Sequence, residues 1–220
     1  MKREIIITKD GSTTIFFPEI NETYHSKFGA IQESYHVFVD AGLHQKKNDT
    51  IFILEVGYGT GLNAFITFLD AEKSKQNIDY IGVEAFPISN DEIQQLNFVD
   101  ILNAHKYKSI FEAMHNSVWN EKIAITENFI LTKRKQFFQE IDDKNAFDII
   151  YFDAFGFRIE PELWSKTIFE KMFIALKIGG ILVTYACRSS IKNDMIELGF
   201  KVEKLPGAPG KREMLRATKL

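Results

Sequence analysis

The feature that most constrains the fold is an apolar run followed by three glycines at alternate positions, residues 51–63, Ile51-Phe52-Ile53-Leu54-Glu55-Val56-Gly57-Tyr58-Gly59-Thr60-Gly61-Leu62-Asn63. Five of its first six residues are apolar, which is typical of a strand buried on both faces in a parallel sheet. Glycines after such a strand let the backbone approach a ligand closely. Nucleotide-like ligands bind at this kind of turn. The sequence therefore predicts a Rossmann-like core with its ligand at residues 57–61.

The spacing of the glycines distinguishes between two cofactors. A dinucleotide fingerprint is Gly-x-Gly-x-x-Gly with an acid about 20 positions later, but here the third glycine comes one position early. With its preceding acid, the turn instead resembles the first motif of S-adenosylmethionine (SAM) methyltransferases. The second strand, residues 78–84, ends in an acid, which in those enzymes accepts hydrogen bonds from the ribose hydroxyls. We therefore expect SAM rather than NAD or no ligand, held by Glu55, Gly57, Gly59, Gly61, Asn63 and Glu84.

Composition limits the class of protein and its partners. The chain is 45% hydrophobic and 26% charged, as is ordinary for a globular protein, and its net charge of −3 means that a polyanion would need a local basic patch. The single Cys187 fits a reducing compartment. No apolar run reaches signal-peptide or transmembrane length, and the histidines lack metal-ligand spacing. We expect a cytoplasmic protein without membrane or metal.

The other segments predict the order of elements. Asp10-Gly11 between two β-rich runs indicates a hairpin, so residues 1–45 are interpreted as an accessory hairpin and pre-core segment before a core of residues 46–220, within one methyltransferase domain. Further predicted strands lie at 123–131, 147–153 and 181–186 and on both sides of a glycine–proline loop at 206–210, with helices at 31–41, 62–71 and 164–176, the last stopped by Gly179-Gly180. The fold class is α/β, a mostly parallel seven-stranded sheet with helices on both faces.

An aspartate at the end of the fourth predicted strand is the candidate catalytic residue. In methyltransferase topology this strand lies beside the first, so Asp153 should face the transferred methyl group. Methyl transfer is an in-line displacement, and an amine nucleophile needs a free lone pair, although an alkylamine with a pKa of about 10.4 is mostly protonated near pH 7. A carboxylate in hydrogen-bond reach can orient the amine and accept its proton. The alternatives for Asp153 are a helix N-cap or a structural acid.

Candidates for substrate contact fall in three places. The polar block before the first core strand is either a solvated surface or a binding surface. Two phenylalanines after the catalytic candidate either stack on a planar base or pack in the core. Basic residues in the tail are expected to contact phosphates. The substrate-binding candidates are Tyr24, Ser26, Glu33, Phe155, Phe157, Lys211 and Arg212.

Several motifs together resemble one family over nearly the whole chain. It is the family of tRNA 5-aminomethyl-2-thiouridine methyltransferases, the methyltransferase half of the bifunctional MnmC protein, also found alone as MnmD. The similar segments are the glycine-rich loop with its Leu62-Asn63 ending, residues 24–26 and 32–38, Phe152-Asp153-Ala154-Phe155 followed by Trp164, and Lys211-Arg212-Glu213-Met214-Leu215.

The resemblance implies a substrate and partners. In such enzymes SAM methylates an aminomethyl group on the wobble uridine of tRNA to methylaminomethyl. Because no oxidase half follows residue 215, the aminomethyl group is expected to come from other tRNA-modifying enzymes. The family often has an aspartate after the third strand that reads adenine; here Lys133-Arg134-Lys135-Gln136 stands there, which leaves Glu127 or a backbone carbonyl for that contact.

Two other functions stay open at this point. One is SAM-dependent methylation of a small molecule or a protein, and the other is a non-catalytic SAM-binding adaptor. A tRNA substrate would be favoured if basic side chains converged near the cleft, namely Lys133, Arg134, Arg188, Lys211, Arg212 and Arg216. An adaptor would be favoured if Asp153 pointed into the core.

Overall fold

The structure, a computed structural model, describes residues 2–220. Its strands form a three-stranded and an eight-stranded sheet. The strands are β1 Glu4–Ile7, β2 Thr13–Phe17, β3 Glu22–Thr23, β4 Thr50–Val56, β5 Asn77–Val83, β6 Lys122–Thr126, β7 Phe129–Arg134, β8 Phe147–Phe152, β9 Leu176–Thr184, β10 Phe200–Pro206 and β11 Glu213–Lys219. The helices are α1 Ala30–Ser34, continued by a π-helical turn Tyr35–Asp40, α2 Leu62–Ser74, α3 Asn90–Ile93, α4 Phe98–Ile101, α5 Lys108–Asn116, α6 Lys166–Ala175 and α7 Ser189–Glu197.

The large sheet has the order β10-β11-β9-β8-β4-β5-β7-β6. Strands β9, β8, β4, β5 and β7 run parallel, β11 pairs antiparallel with both β10 and β9, and β6 is antiparallel to β7. The predicted α/β class with a mostly parallel sheet is confirmed. Because β4 pairs with β5 on one side and β8 on the other, the chain reverses its direction of winding there, and ligands bind beyond the carboxyl ends of strands at such a point.

The central strand is buried on both faces, which explains its continuous apolar run. Ile51 and Ile53 belong to the core on one side of the sheet, together with Phe65 of α2. Leu54 and Val56 belong to the core on the other side. Alternating residues of β4 thus serve opposite cores.

Two predictions about the sheet were wrong in detail. The sheet has eight strands in residues 2–220 rather than seven, because the single strand expected at 123–131 is the hairpin β6–β7 with a two-residue turn, Glu127 and Asn128. Its apolar alternation continues across that turn, so periodicity did not separate the strands. The Gly179-Gly180 pair lies inside β9 instead of ending a helix, at an irregularity in its pairing with β8, a usual place for glycine in a strand.

The N-terminal hairpin is confirmed and gains a third strand. Strands β1, β2 and β3 form an antiparallel sheet, and Gly11 has a φ of 84° in its first turn. The side chain of Asn97 connects this sheet to the region before α4, because its Oδ1 accepts from the Thr13 N–H at 2.8 Å and its Nδ2 donates to the Gly11 carbonyl at 2.9 Å. Within residues 2–220, no helix has the length and apolarity needed to cross a membrane.

Candidate active site

The backbone of the glycine turn is hydrogen-bonded to the end of β5 and packs against the residue that follows β8. The N–H groups of Gly57 and Tyr58 both donate to the Val83 carbonyl at 3.0 Å. Gly57 has a φ of 97°, and a Cβ on it would lie 2.6 Å from the carbonyl oxygen of Asp153. Because backbone conformation and contact both exclude a side chain here, glycine lets the turn pack directly against the backbone of Asp153.

A cavity of about 530 Å³ opens above this turn, within the range of about 300–1,000 Å³ that is usual for small-molecule sites. It lies at the carboxyl ends of β4, β5 and β8, and the N-terminal sheet closes it from above. Its lining includes five predicted residues from the core and two predicted aromatic residues, namely Gly57, Gly59, Asn63, Glu84, Asp153, Tyr24 and Phe155.

Glu84 lies at the wall of this cavity immediately after β5. Its Oε2 accepts from the Gly59 N–H at 3.0 Å, and its Oε1 accepts from the Phe86 N–H at 2.9 Å. The residue is 8% exposed. A carboxylate can accept about four hydrogen bonds, so two acceptor positions are left for hydroxyl groups of a ligand.

Asn63 connects two acids beneath the cavity. Its Nδ2 donates to Glu55 Oε1 at 2.8 Å and to Asp153 Oδ2 at 2.9 Å, while Ser34 Oγ donates to its Oδ1 at 2.5 Å. Glu55 is fully buried and does not line the cavity, and its Oε2 lies near the Tyr80 hydroxyl without a hydrogen bond of normal geometry. Burial raises the pKa of Glu55 well above its usual range. Glu55 therefore acts on the site through Asn63.

Of the two acids that Asn63 bridges, Asp153 is the one that lines the cavity. Its backbone N–H donates to the Val56 carbonyl at 2.9 Å, which fixes the end of β8 beside β4. Burial first, and then the nearby Glu33 carboxylate, raise the pKa of Asp153 to about 7, against the opposing influence of Asn63 and Lys211. A carboxyl group that titrates near neutrality can both take and return a proton. The side chain does not point into the core.

A second cavity of about 370 Å³ meets the first at Asp153. Both cavities are lined by Tyr24, His25, Asp153, Ala154 and Phe155. The rings of Phe17, Tyr24 and Phe155 pack around this junction with centroids 5.2–5.5 Å apart. The second cavity adds side chains from the polar block, the end of β9 and the β10–β11 loop, including Ser26, Lys27, Phe28, Glu33, Tyr185 and Lys211.

An ion pair inside the second cavity links the beginning and the end of the chain. The Lys211 ammonium pairs with Glu33 Oε1 and lies 3.7 Å from the centroid of the Tyr185 ring. Glu33 Oε2 accepts from the Ser26 N–H at 3.0 Å, and the Tyr185 hydroxyl donates to the Ala154 carbonyl at 2.8 Å. Tyr185 was not predicted as a site residue from the sequence. Its position directly after β9 was a usable signal, because side chains beyond the carboxyl ends of parallel strands commonly contact ligands.

Besides Glu55, three predicted residues lie outside both cavities. Gly61, with a φ of 70°, forms the N-terminal cap of α2. The Phe157 ring packs beside the core and under the guanidinium of Arg188, 4.3 Å from its centroid. Arg212 is exposed beside Lys211. Of the two phenylalanines, only Phe155 is placed to contact a substrate.

Three of the basic residues expected to converge near the cleft bind other protein groups instead. Lys133 is 2% exposed and donates to the His115 carbonyl at 2.5 Å, and burial lowers its pKa to about 8. Arg134 pairs with Asp143 at 2.6 Å, and Arg216 pairs with Glu203 at 3.3 Å. A basic strip from these residues is therefore not formed.

The far wall of the first cavity is aromatic. Phe86, Phe137, Phe138 and Gln139 line it, and the rings of Phe86 and Phe137 meet edge to face with centroids 5.8 Å apart. Glu127, one of the expected contacts for adenine, is exposed in the β6–β7 turn, at the opposite end of β7. The segment after β7 therefore reaches the cavity through residues 137–139.

Comparison with known proteins decides the family. The family model described as S-adenosyl-L-methionine-dependent methyltransferase matches residues 97–220, more than half of the chain. The chain belongs to this methyltransferase family. The bifunctional tRNA 5-methylaminomethyl-2-thiouridine biosynthesis protein MnmC of Leptospira interrogans is 25% identical over 96% of the chain, and that of Delftia acidovorans is 26% identical over 93%. The chain spans about a third of the length of these curated relatives.

Solved structures agree with this assignment. The crystal structure of MNMC2 from Aquifex aeolicus is similar with a TM-score of 0.80 and 26% identity, covering 99% of this chain and 70% of that one. A spermidine synthase structure, at a TM-score of 0.58 and 13% identity, shares the fold. The methyltransferase fold thus extends over nearly all of the chain.

The residues of the first cavity fit SAM. Gly57 and Gly59 of the glycine turn line this cavity together with Asp153. Glu84 keeps free acceptor positions for the ribose hydroxyls, and the phenylalanines of the far wall offer an apolar surface for a planar base. When bound, SAM supplies the methyl group, and the electron pair of the broken carbon–sulfur bond stays on sulfur.

Proposed function

We propose that this methyltransferase methylates the 5-aminomethyl group of the wobble (2-thio)uridine in tRNA to 5-methylaminomethyl. The observation that carries the proposal is the position of Asp153, whose carboxyl lines both cavities and has a pKa of about 7. A base at this junction touches cofactor space on one side and acceptor space on the other. MnmC relatives and the Aquifex MNMC2 structure support the choice of substrate.

In this proposal Asp153 prepares the amine for attack. Its carboxylate accepts one proton of the substrate ammonium and orients the nitrogen. The freed lone pair then forms the nitrogen–carbon bond in line with the departing sulfur. The product leaves as a secondary ammonium with one more carbon, and Asp153 then releases the proton that it accepted to solvent. Asn63 holds Asp153 in position throughout.

The nucleobase is assigned to the second cavity. Phe155 and Tyr24 form an aromatic wall at the junction, and planar bases stack on such side chains. Glu33 and Lys211 also line this cavity of about 370 Å³, so that in this proposal they lie beside the group that is to be methylated. The aminomethyl group would be supplied by other tRNA-modifying enzymes.

Exposed residues at the mouth of the second cavity are proposed to contact the tRNA backbone. Lys27 and Phe28 are exposed there, and the Lys9 ammonium lies 4.5 Å above the Phe28 ring. Arg212 is exposed on the loop that packs against Phe28. Since phosphate contacts give affinity without sequence information, a small basic rim suffices for a protein of negative net charge. A cytoplasmic location and one domain over residues 1–220 belong to the same proposal.

The test is methylation of bulk tRNA that lacks the final methyl group, followed by nucleoside analysis. We expect 5-methylaminomethyl-(2-thio)uridine to appear only with SAM and active protein. Transfer to small amines or proteins but not to tRNA would favour the alternative methyltransferase function. SAM binding without transfer to any of these acceptors would favour the adaptor function.

A further inference from the structure

We infer that Lys211 sets the charge of the acceptor site, because its ammonium neutralises Glu33 and leaves Asp153 as the one carboxylate that acts on the substrate amine. The inference rests on the proposed function, since it requires a primary amine as the methyl acceptor. It assigns to Lys211 a positioning role in the chemistry rather than a contact with the tRNA backbone.

The placement of Lys211 separates it from the surface cations. Its side chain is 29% exposed, and the Glu33 side chain with which it pairs is 9% exposed. The ammonium also lies 3.7 Å from the centroid of the Tyr185 ring, a favourable position for a cation. Because a buried carboxylate and an aromatic face hold the charge from two sides, the ammonium is fixed within the cavity.

Without this ammonium the site would hold two competing acids. Glu33 acts on Asp153 by raising its pKa, and Lys211 acts by lowering it. Two neighbouring carboxylates disfavour each other's ionisation. If both did ionise, they would also stabilise the substrate as an ammonium ion, which has no lone pair for attack.

With Lys211 present the balance of charge favours the free amine. A cation near an amine lowers the pKa of that amine, as happens for activated lysines beside another cationic group. The Asp153 carboxylate can then take the proton from the substrate ammonium, becoming a neutral acid. The nitrogen keeps the lone pair that forms the new bond to carbon.

The other charged and titratable groups around the pair are few. Burial lowers the pKa of His25 to about 4, so that this ring is neutral at working pH. Burial raises the pKa of Tyr185 well above its usual range, and the same cause raises that of Tyr24. The remaining groups on the elements packed against the site are Glu22, Lys27, Asp10 and Glu55.

Two variants with opposite expected effects test the inference. The measured quantity is the acid limb of the pH profile of kcat/KM on tRNA lacking the final methyl group, which reports groups of the free enzyme. Lys211→Met should move this limb to higher pH by about one unit, because Asp153 then faces an uncompensated Glu33. Since the pKa of wild-type Asp153 is about 7, the rate at pH 7 should fall about fivefold. Glu33→Gln should move the limb to lower pH.

Two further variants serve as controls. Lys211→Arg retains the charge and should keep the wild-type limb, and the double variant Lys211→Met with Glu33→Gln should return the limb towards wild type. Calorimetric SAM affinity, expected to be unchanged, shows that each variant is folded. If Lys211→Met does not fold, the acid limb of Glu33→Gln still tests the inference, because the inference requires that this limb move to lower pH.

The outcomes separate this inference from the proposed function. A wild-type protein that forms no methylated nucleoside overturns the proposed function itself. An active wild type with an unmoved acid limb in Lys211→Met, or with only a raised KM for tRNA, overturns the inference and returns Lys211 to a phosphate contact. Limbs that move in opposite directions in the two single variants support it.

Discussion

The side-chain amide of Asn63 bridges two carboxylates, donating to Glu55 at 2.8 Å and to Asp153 at 2.9 Å. Glu55 is sealed beneath the cavity and Asp153 lines it. One amide group therefore connects the acid of the glycine-rich motif to the proposed base. The acid of the motif contributes to the site by orienting a neighbour rather than by touching the ligand.

Replacing Asp153 should slow methyl transfer without preventing binding. Asp153→Ala is expected to bind SAM and tRNA and to reduce kcat by about 10²–10⁴-fold, the usual cost of losing a general base. Asp153→Asn retains a hydrogen-bond acceptor but not a proton acceptor, so its rate should fall between those of the wild type and Ala. Single-turnover rates measured across pH check this. The rate of Asp153→Asn should approach that of the wild type at high pH, where the substrate amine loses its proton without a base. Full turnover in either variant would end the catalytic role.

The raised pKa of Asp153 also predicts a pH dependence of stability. Its value moves from an ordinary 3.8 to about 7 in the folded state, so the folded protein disfavours the ionised form. The resulting loss in the free energy of unfolding is absent below about pH 4, grows between pH 4 and 7, and is complete above about pH 7. Asp153→Asn removes it, so the Tm of the variant minus that of the wild type should be larger at pH 8 than at pH 4. An equal difference at both pH values would contradict the assignment.

A methyl group on Gly57 should disrupt the site. In Gly57→Ala the Cβ would lie 2.6 Å from the Asp153 carbonyl oxygen on a residue with a φ of 97°, so the turn must move away from β8. We expect SAM affinity to fall at least about tenfold, since a shift of the turn breaks contacts worth more than about 1.4 kcal/mol in total. Gly179→Ala is the matched control, because Gly179 has a φ of 73° with nothing within 4 Å of a Cβ. It should lower Tm slightly and leave SAM affinity unchanged by calorimetry.

Glu84 should contribute to SAM affinity in two ways. Glu84→Ala removes the acceptor for the ribose hydroxyls and also the partner of the Gly59 and Phe86 N–H groups. A lost buried hydrogen-bond partner costs about 1–3 kcal/mol, which corresponds to a Kd about 5- to 150-fold higher. Asp79→Asn, on the same strand but at its opposite end and paired with Lys122, should bind SAM like the wild type. Unchanged affinity in Glu84→Ala would remove the ribose assignment.

The basic rim of the second cavity should determine tRNA affinity. Lys27→Glu and Arg212→Glu are expected to raise KM for tRNA and to reduce the salt dependence of binding by about one counterion per contact. SAM affinity should not change. The control is Lys144→Glu. Lys144 is exposed and precedes β8, so it lies at the amino-terminal ends of the strands, away from both cavities. If all three variants show the same KM, the tRNA does not approach from this side.

The central strands and the glycine turn were predicted well because short stretches of sequence specify each of them. The apolar run of β4, the glycine turn and the acid after β5 each carry their signal within a few residues, and the structure places Gly57 and Glu84 at one cavity. The β6–β7 hairpin was missed because the apolar alternation of Ile123 and Ile125 resumes in phase at Phe129 after the polar two-residue turn. The glycine pair of β9 was misinterpreted because a bulge and a helix end both use glycine.

The composition of the acceptor site could not be read in the same way. The sequence singled out Glu33 and Lys211, but as members of a polar block and a basic tail. Their ion pair joins residues 178 positions apart, and no local pattern specifies such a contact. Tyr185 joins the site for the same reason, because the position of β9 in the sheet and not sequence spacing brings it there.

That separation along the chain has a consequence for biosynthesis. Proteins emerge from the ribosome N-terminus first, and early segments can fold while later ones are still being made. Strand β10 pairs only through β11 to the rest of the sheet in residues 2–220, so the β10–β11 loop cannot take its final place before residues 213–219 have been synthesised. The glycine turn and Asp153 are translated long before that point. The pocket that contains Lys211 is therefore incomplete until residues 213–219 have been made, although nearly all residues of the first cavity are by then already present in the nascent chain.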